Sequence, residues 1–229
     1  MSSADLTGHV SPGGPSWVLD LGPAVVRKCS VGPMDNNAYL VTCRATGKRL
    51  LVDAADDAPR LHRLLAEDGA ADRPEALDTL LTTHRHQDHH QALAEMVRAT
   101  GATTVAGADD ADALPVPVDI RVEQGDRIRV GDLELDVVAL RGHTPGSVAL
   151  ALGTLGDTGA RTTLFTGDSL FPGGPGKTGS PEDFASLMDD LEQRVFGVYD
   201  DALVLPGHGD NTTLGAERDD LPGWRERGW

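Results

Sequence analysis

The sequence predicts a single-domain α+β fold, and three observations carry that prediction. At 229 residues with 39% apolar content, the chain can bury a core as one domain without disulfides. Apolar runs of strand length recur along it, several of them ending in turns flanked by Gly or Pro. Longer stretches with apolar residues at helical spacing lie between and after those runs.

Residues 1–16 are small and polar, with Ser11-Pro12-Gly13-Gly14-Pro15, and read as a flexible lead-in to one domain over 17–229. Strands are predicted at Ala24 to Cys29, Ala38 to Cys43 and Leu50 to Asp53, the first two joined by the turn-rich loop Gly32 to Asn37. Within that loop Met34 is a candidate pocket wall, against the plainer reading of a packed methionine. A helix follows over Pro59 to Glu67 with Leu61, Leu64 and Leu65 on one face. His62 falls off that face and, like His9 in the lead-in, reads as solvated. Leu77 to Leu81, bounded by Pro74, is a buried strand, and Ala92 to Val97 a helix. Thr103 to Ala106 is a strand, followed by a connector with Pro115 and Pro117. Asp126 to Val130 and Leu133 to Leu140 form a hairpin about Gly131-Asp132. Thr162 to Phe165 and Ala202 to Leu205 are the last strands. Between them Ser180-Pro181-Glu182-Asp183 starts a helix buried through Phe184, Leu187, Met188 and Leu191. Trp224 and Trp229 in the tail are expected to close over exposed core.

A formal charge of −16 leaves no basic stripe to meet phosphates, which argues against nucleic acid and anionic membranes as partners. No run approaches the ~18 apolar residues of a membrane span, and no secretory signal is visible. Cys29 and Cys43 lie far in sequence from every histidine cluster and read as buried free thiols, in keeping with a cytoplasmic protein.

Chemistry concentrates where strand Leu77 to Leu81 runs into Thr82-Thr83-His84-Arg85-His86-Gln87-Asp88-His89-His90. Four of the eight histidines fall within seven positions, with a carboxylate between them. If the strand persists, His84 and His86 point to one side, and Asp88 and His89 turn to offer a second set of donors. Imidazole with carboxylate suits zinc, iron or manganese, and two adjacent sets suggest two ions. A solvated helix start or a tag is the competing reading, but this string is internal and interrupted. Three more strands end in the same way, at Gly142-His143-Thr144-Pro145-Gly146, Thr166-Gly167-Asp168-Ser169 and Pro206-Gly207-His208-Gly209. Singly, His143 could cap a turn and Asp168 could form an Asx-turn. Jointly, they look like donors gathered at strand ends by loops.

On Thr83-His84-Arg85-His86-Gln87-Asp88-His89, Gly142 to Gly146, Gly167-Asp168 and Gly207-His208, the chain over roughly 24–210 resembles the metallo-β-lactamase superfamily, in particular the glyoxalase II-like hydrolases. The resemblance implies an αββα four-layer sandwich with a two-metal site at the loop ends of its sheets. It implies His84, His86 and His143 on one metal, Asp88, His89 and His208 on the other, and Asp168 bridging both. Asp88 and Asp168 become the candidate catalytic carboxylates, Asp53 a candidate support for a ligand, and His90 a solvated residue outside the pattern. The cofactor implied is two divalent ions, zinc ahead of iron or manganese.

Two departures narrow the reading. The best-known β-lactamase subclass has cysteine where Asp168 stands, which disfavours antibiotic hydrolysis. Only 21 residues follow His208, too few for the helical region with which glyoxalase II helps grip glutathione. The loop Gly173 to Thr178 ends like a nucleotide-binding P-loop, but Phe171 occupies the place of its first glycine and Pro175 breaks the cradle. Phe171 and Lys177 are instead candidates to border the substrate, Lys177 by holding a carboxylate or other anion.

The expected chemistry follows from charge. Two divalent ions lower the pKa of a shared water from 15.7 toward about 7, which supplies hydroxide for attack on an ester-like carbonyl. With two carboxylates and that hydroxide the site stays near one positive charge, favouring a small anionic substrate, and a thioester fits best because its thiolate leaves readily. The rival within the same superfamily is a persulfide dioxygenase with one iron on His84, His86 or His143, and Asp168. A non-catalytic metal-binding module has less support.

Overall fold

The computed structural model describes residues 7–67, 76–153 and 161–228, and its long strands fall into two sheets. The first is built from β1 (Trp17–Asp20), β2 (Ala24–Val31), β3 (Asn36–Cys43), β4 (Arg49–Val52), β5 (Thr79–Thr82), β6 (Thr103–Gly107) and β7 (Ile120–Val122), in that spatial order. Its first four strands pair antiparallel and the rest parallel. The second contains β8 (Arg127–Val130), β9 (Leu133–Ala139), β10 (Val148–Leu152) and β11 (Thr163–Gly167). A small hairpin, β12 (Leu170–Phe171) and β13 (Gly174–Pro175), follows before the sheet resumes with β14 (Leu203–Pro206) and β15 (Thr212–Thr213). Its order is β15-β14-β11-β10-β9-β8, with only β11 and β14 parallel.

The sheets pack face to face because alternate strand residues point inward. Val26, Tyr39, Val41, Leu50 and Leu81 from one sheet meet Leu135, Val137, Leu150, Phe165 and Leu205 from the other. Tyr39 and Phe165 touch edge to face, with ring centroids 5.4 Å apart. Helices α1 (Ala58–Glu67) and α2 (Leu93–Thr100) cover the outer face of the first sheet through Leu61, Leu64, Leu65, Leu93 and Met96. Helix α3 (Pro181–Asp190) covers the second through Phe184, Leu187 and Met188. Ser180 caps α3, its hydroxyl accepting from the Asp183 amide, with Pro181 at the first turn. The order of layers is therefore αββα, the fold that the resemblance implied. Among the described residues no helix is long and apolar enough to cross a membrane.

The tail adds α4 (Leu214–Glu217) and α5 (Leu221–Arg227). Trp224 is buried against Phe196 there, while Trp229, like Pro74 and residues 1–6 of the lead-in, lies outside the described residues. In the described part of the lead-in, the Thr7 carbonyl accepts from the Asn211 amide, His9 bonds Asp210 and Val10 is buried. Cys29 and Cys43 are both free and buried.

Lys28 in β2 is fully buried, its ammonium donating to the Gly209 carbonyl at 2.6 Å and to Asn211 Oδ1 at 3.0 Å. Burial pulls its pKa down to about 8, although Asp210 and Asp35 oppose the fall. The folded value lies below the ordinary 10.5, so between those two pH values the unfolded chain binds the extra proton. Stability of the metal-free protein should therefore rise with pH across that window, by about 3 kcal/mol from this group. Urea titrations at stepped pH should show the rise in the natural chain and lose it in Lys28→Met.

Candidate metal centre

Strand β5 ends at Thr82, and a 3-10 turn over Gln87–His89 carries the chain into α2. His84 therefore sits in a bend beyond the sheet rather than on an extended strand. His84 is buried, with 1% exposure, in contrast to the exposed His86. The turns after β9, β11 and β14 bring His143, Asp168 and His208 to the same end of the two sheets.

Three groups of donors converge there: His84, His86 and His143; Asp88, His89 and His208; and His84, His89 and Asp168. In each, one ligand atom per residue lies within 4.8 Å of the others. Asp168 stands between the first two groups, with Oδ1 3.2 Å from His89 Nε2 and Oδ2 3.3 Å from His208 Nε2 and 3.6 Å from His143 Nε2. Asp88 Oδ2 lies 3.3 Å from His208 Nε2 and 3.5 Å from His89 Nε2. His90 joins none of these groups and donates to the Arg85 carbonyl instead.

Hydrogen bonds on the outer side fix which nitrogen each ring turns inward. His143 Nδ1 donates to the Lys177 carbonyl at 2.5 Å and His208 Nδ1 to the Met34 carbonyl at 2.8 Å. His89 Nδ1 donates to Asp53 Oδ2 at 2.9 Å. The Thr83 hydroxyl donates to Asp53 at 2.8 Å, which leaves its oxygen to accept from His84 Nδ1 at 3.1 Å. Four rings thus turn Nε2 toward the centre, while His86 presents Nδ1, 2.8 Å from His143 Nε2. Buried His84 Nε2 and Asp168 Oδ1 have no hydrogen-bond partner. Orphaned buried acceptors facing other acceptors are costly unless a cation lies between them, so the donor set fits divalent metal.

Electrostatics agree. Burial and neighbouring His89 push His84 well below its ordinary value, and burial and His143 push His86 down. Burial also works against protonation of His89, but Asp168 and Asp53 outweigh it and raise that ring to about 10. Burial would raise Asp168, yet His208 and His89 hold its carboxyl far below the usual range. Asp168 is thus held ionised, and without a cation it and Asp53 favour a proton on His89.

Asp53, the residue after β4, has left-handed backbone, with φ 59°, and also accepts from the Thr83 amide at 2.7 Å. Gly207 allows a close approach, since a Cβ there would sit 2.1 Å from Asp168 Oδ1 and 2.6 Å from His89 Cε1. Two supports escaped the sequence reading. Buried Asp110 accepts from the Arg85 and Gly146 amides, each at 3.0 Å, and from the Thr144 hydroxyl, tying the His84–His86 bend to the His143 turn. Asn36 donates to Asp88. Asp110 lay in a stretch read as a connector and Asn36 in a turn, and neither has a motif around it.

The β12–β13 hairpin borders the centre. The Phe171 ring lies 6.3 Å from that of His208. Exposed Lys177 lines a cavity of about 310 Å³ with Phe184 and, from α5, Arg227, a residue the sequence did not single out.

Residues 31–208 match the model of the metallo-beta-lactamase superfamily. A hydroxyacylglutathione hydrolase of Cereibacter sphaeroides is 34% identical over 176 residues, and one of Fuscovulum blasticum 36% over 177. Each alignment covers 76% of this chain, which spans only 62% of either relative's length. Among solved structures, ETHE1 from Myxococcus xanthus is 29% identical with TM-score 0.72, over 86% of this chain and 83% of that one. TTHA1623, solved in a di-iron-bound form, is 30% identical with TM-score 0.66, over 86% and 99%.

Proposed function

This chain belongs to the metallo-β-lactamase superfamily, and from that premise we propose that it is a metal-dependent hydrolase of ester-like carbonyls, thioesters foremost. The observation that carries the reading is the outward hydrogen bonding of four imidazoles through Nδ1, which turns their Nε2 atoms inward around the ionised Asp168. In this proposal His84, His86 and His143 hold one divalent ion, Asp88, His89 and His208 hold a second, and Asp168 serves both. Zinc is the first choice; a di-iron form is on record for TTHA1623. Bound there, the pair would supply a water acidic enough to ionise near neutral pH and a positive field for the carbonyl oxygen.

The chain's own groups do the rest. Asp88 and Asp168 orient the attacking water through their carboxylate oxygens. Phe171 and exposed Met34 flank the His208 side and suit an apolar acyl group. Lys177 and Arg227 suit an anionic end of the substrate, and the names of the curated relatives make a glutathione thioester the first compound to try. Lys177→Ala should raise KM about five- to tenfold and leave kcat nearly unchanged in steady-state assays, because the lost contact is made equally in ground and transition states. A single domain over 17–229 and a cytoplasmic setting belong to the same proposal.

A panel of thioester, lactone and phosphodiester, run beside oxygen uptake on a persulfide, tests the reaction. We expect fastest hydrolysis of the thioester, lost on chelation and restored by zinc. Oxygen consumption with one iron per chain would replace this reading with the single-iron persulfide dioxygenase.

A further inference from the structure

We infer that Asn36 is a positioning residue that governs whether the second cation of the proposed centre is held. The inference rests on the two-cation reading above. Asn36 opens β3 and is 1% exposed. Its amide nitrogen lies 3.0 Å from Asp88 Oδ2, 3.1 Å from the Asp88 carbonyl oxygen and 3.5 Å from His208 Nε2. Its backbone makes an isolated bridge with His208, and the next amide, Asn37 N–H, donates to the Gly207 carbonyl at 2.7 Å. One residue of the first sheet thus grips both the 3-10 turn that carries Asp88 and the loop that carries His208.

The grip is confined to one half of the centre. Among the described residues, the Asn36 side chain bonds none of His84, His86 or His143. Those three depend on other supports: Thr83 behind His84, the Lys177 carbonyl behind His143, and Asp110 between the loops on which they sit. A neutral amide is suited to the task. It donates to Asp88 Oδ2 without adding charge, so the carboxylate stays an anionic ligand while one oxygen is fixed in direction. An aspartate at position 36 would instead bring a competing ligand, and an aliphatic residue would leave Asp88 free to rotate.

The test uses the full chain stripped of metal and titrated with zinc by calorimetry, with elemental analysis of the product. The natural chain should take up two equivalents. Asn36→Ala should bind one equivalent with unchanged Kd and the other ten- to a hundredfold more weakly. Asn36→Ser, whose hydroxyl is too short to reach Asp88, should do the same and serves if the alanine variant does not fold. Thr144→Val, which severs the Thr144 hydroxyl from Asp110, should weaken the other equivalent instead. Equal weakening of both equivalents in the Asn36 variants, or none, overturns the inference while the two-cation reading stands. Uptake of fewer than two equivalents by the natural chain overturns that reading itself.

Discussion

Asp168→Ala should lose turnover and cation binding together. Among the described residues Asp168 is the carboxylate that reaches both donor groups, lying 3.2 Å from His89, 3.3 Å from His208 and 3.6 Å from His143. Removing it would leave Asp88 as the one carboxylate among the proposed ligands to offset the charge of the proposed cation pair. Metal-assisted hydrolysis draws several kcal/mol from the ions, so a fall in kcat of at least about a thousandfold is expected. Elemental analysis should show zinc content falling in parallel, and the isosteric Asp168→Asn should fail in the same way because it supplies no charge. Full activity in either variant would refute the role given to this residue.

Asp53→Ala should produce the second large effect, on stability as well as on metal. The carboxylate is buried and accepts from the Thr83 amide, the Thr83 hydroxyl and His89 Nδ1. Its loss strands donors in the protein interior, at about 1–3 kcal/mol each, and puts alanine into left-handed backbone at φ 59°. A loss of about 3–5 kcal/mol in urea unfolding is expected. Asp53→Asn tolerates the backbone and keeps one acceptor. It should cost less stability yet weaken zinc about ten- to a hundredfold, because His89 loses the partner that sets its tautomer.

Much of this organisation was legible in the sequence. The strand runs from Ala24 to Leu205 were visible as apolar runs, several of them ending in Gly- or Pro-marked turns, and those turns identify His143, Asp168 and His208. Ser180-Pro181 announced α3 by its own capping chemistry. What escaped had no local signal. Strand β10, Val148–Leu152, is buried on both faces and carries no alternation to read. Helix α5 contains Pro222 and Gly223, poor helix formers, and is held by tertiary contacts: Trp224 is buried and Arg225 bonds Glu192 at 2.8 Å. Arg227 was missed for that reason.

The donors show the same division. An extended strand would have set His84 and His86 side by side, but β5 ends at Thr82 and the bend beyond it lets His84 offer Nε2 and His86 offer Nδ1. Which nitrogen faces inward depends on partners far along the chain, Lys177 for His143 and Met34 for His208, and no spacing rule encodes that. The acid at the end of β4 could be read as a support, whereas Asn36 and Asp110 act only through residues that folding brings to them.

The central claim is that these side chains clamp a pair of cations. Crystals of the zinc-loaded chain, measured at the zinc absorption edge, test it directly. Two anomalous peaks per chain are expected, one among His84, His86 and His143 and one among Asp88, His89 and His208, with Asp168 touching both. A single peak, or peaks elsewhere in the molecule, would contradict it.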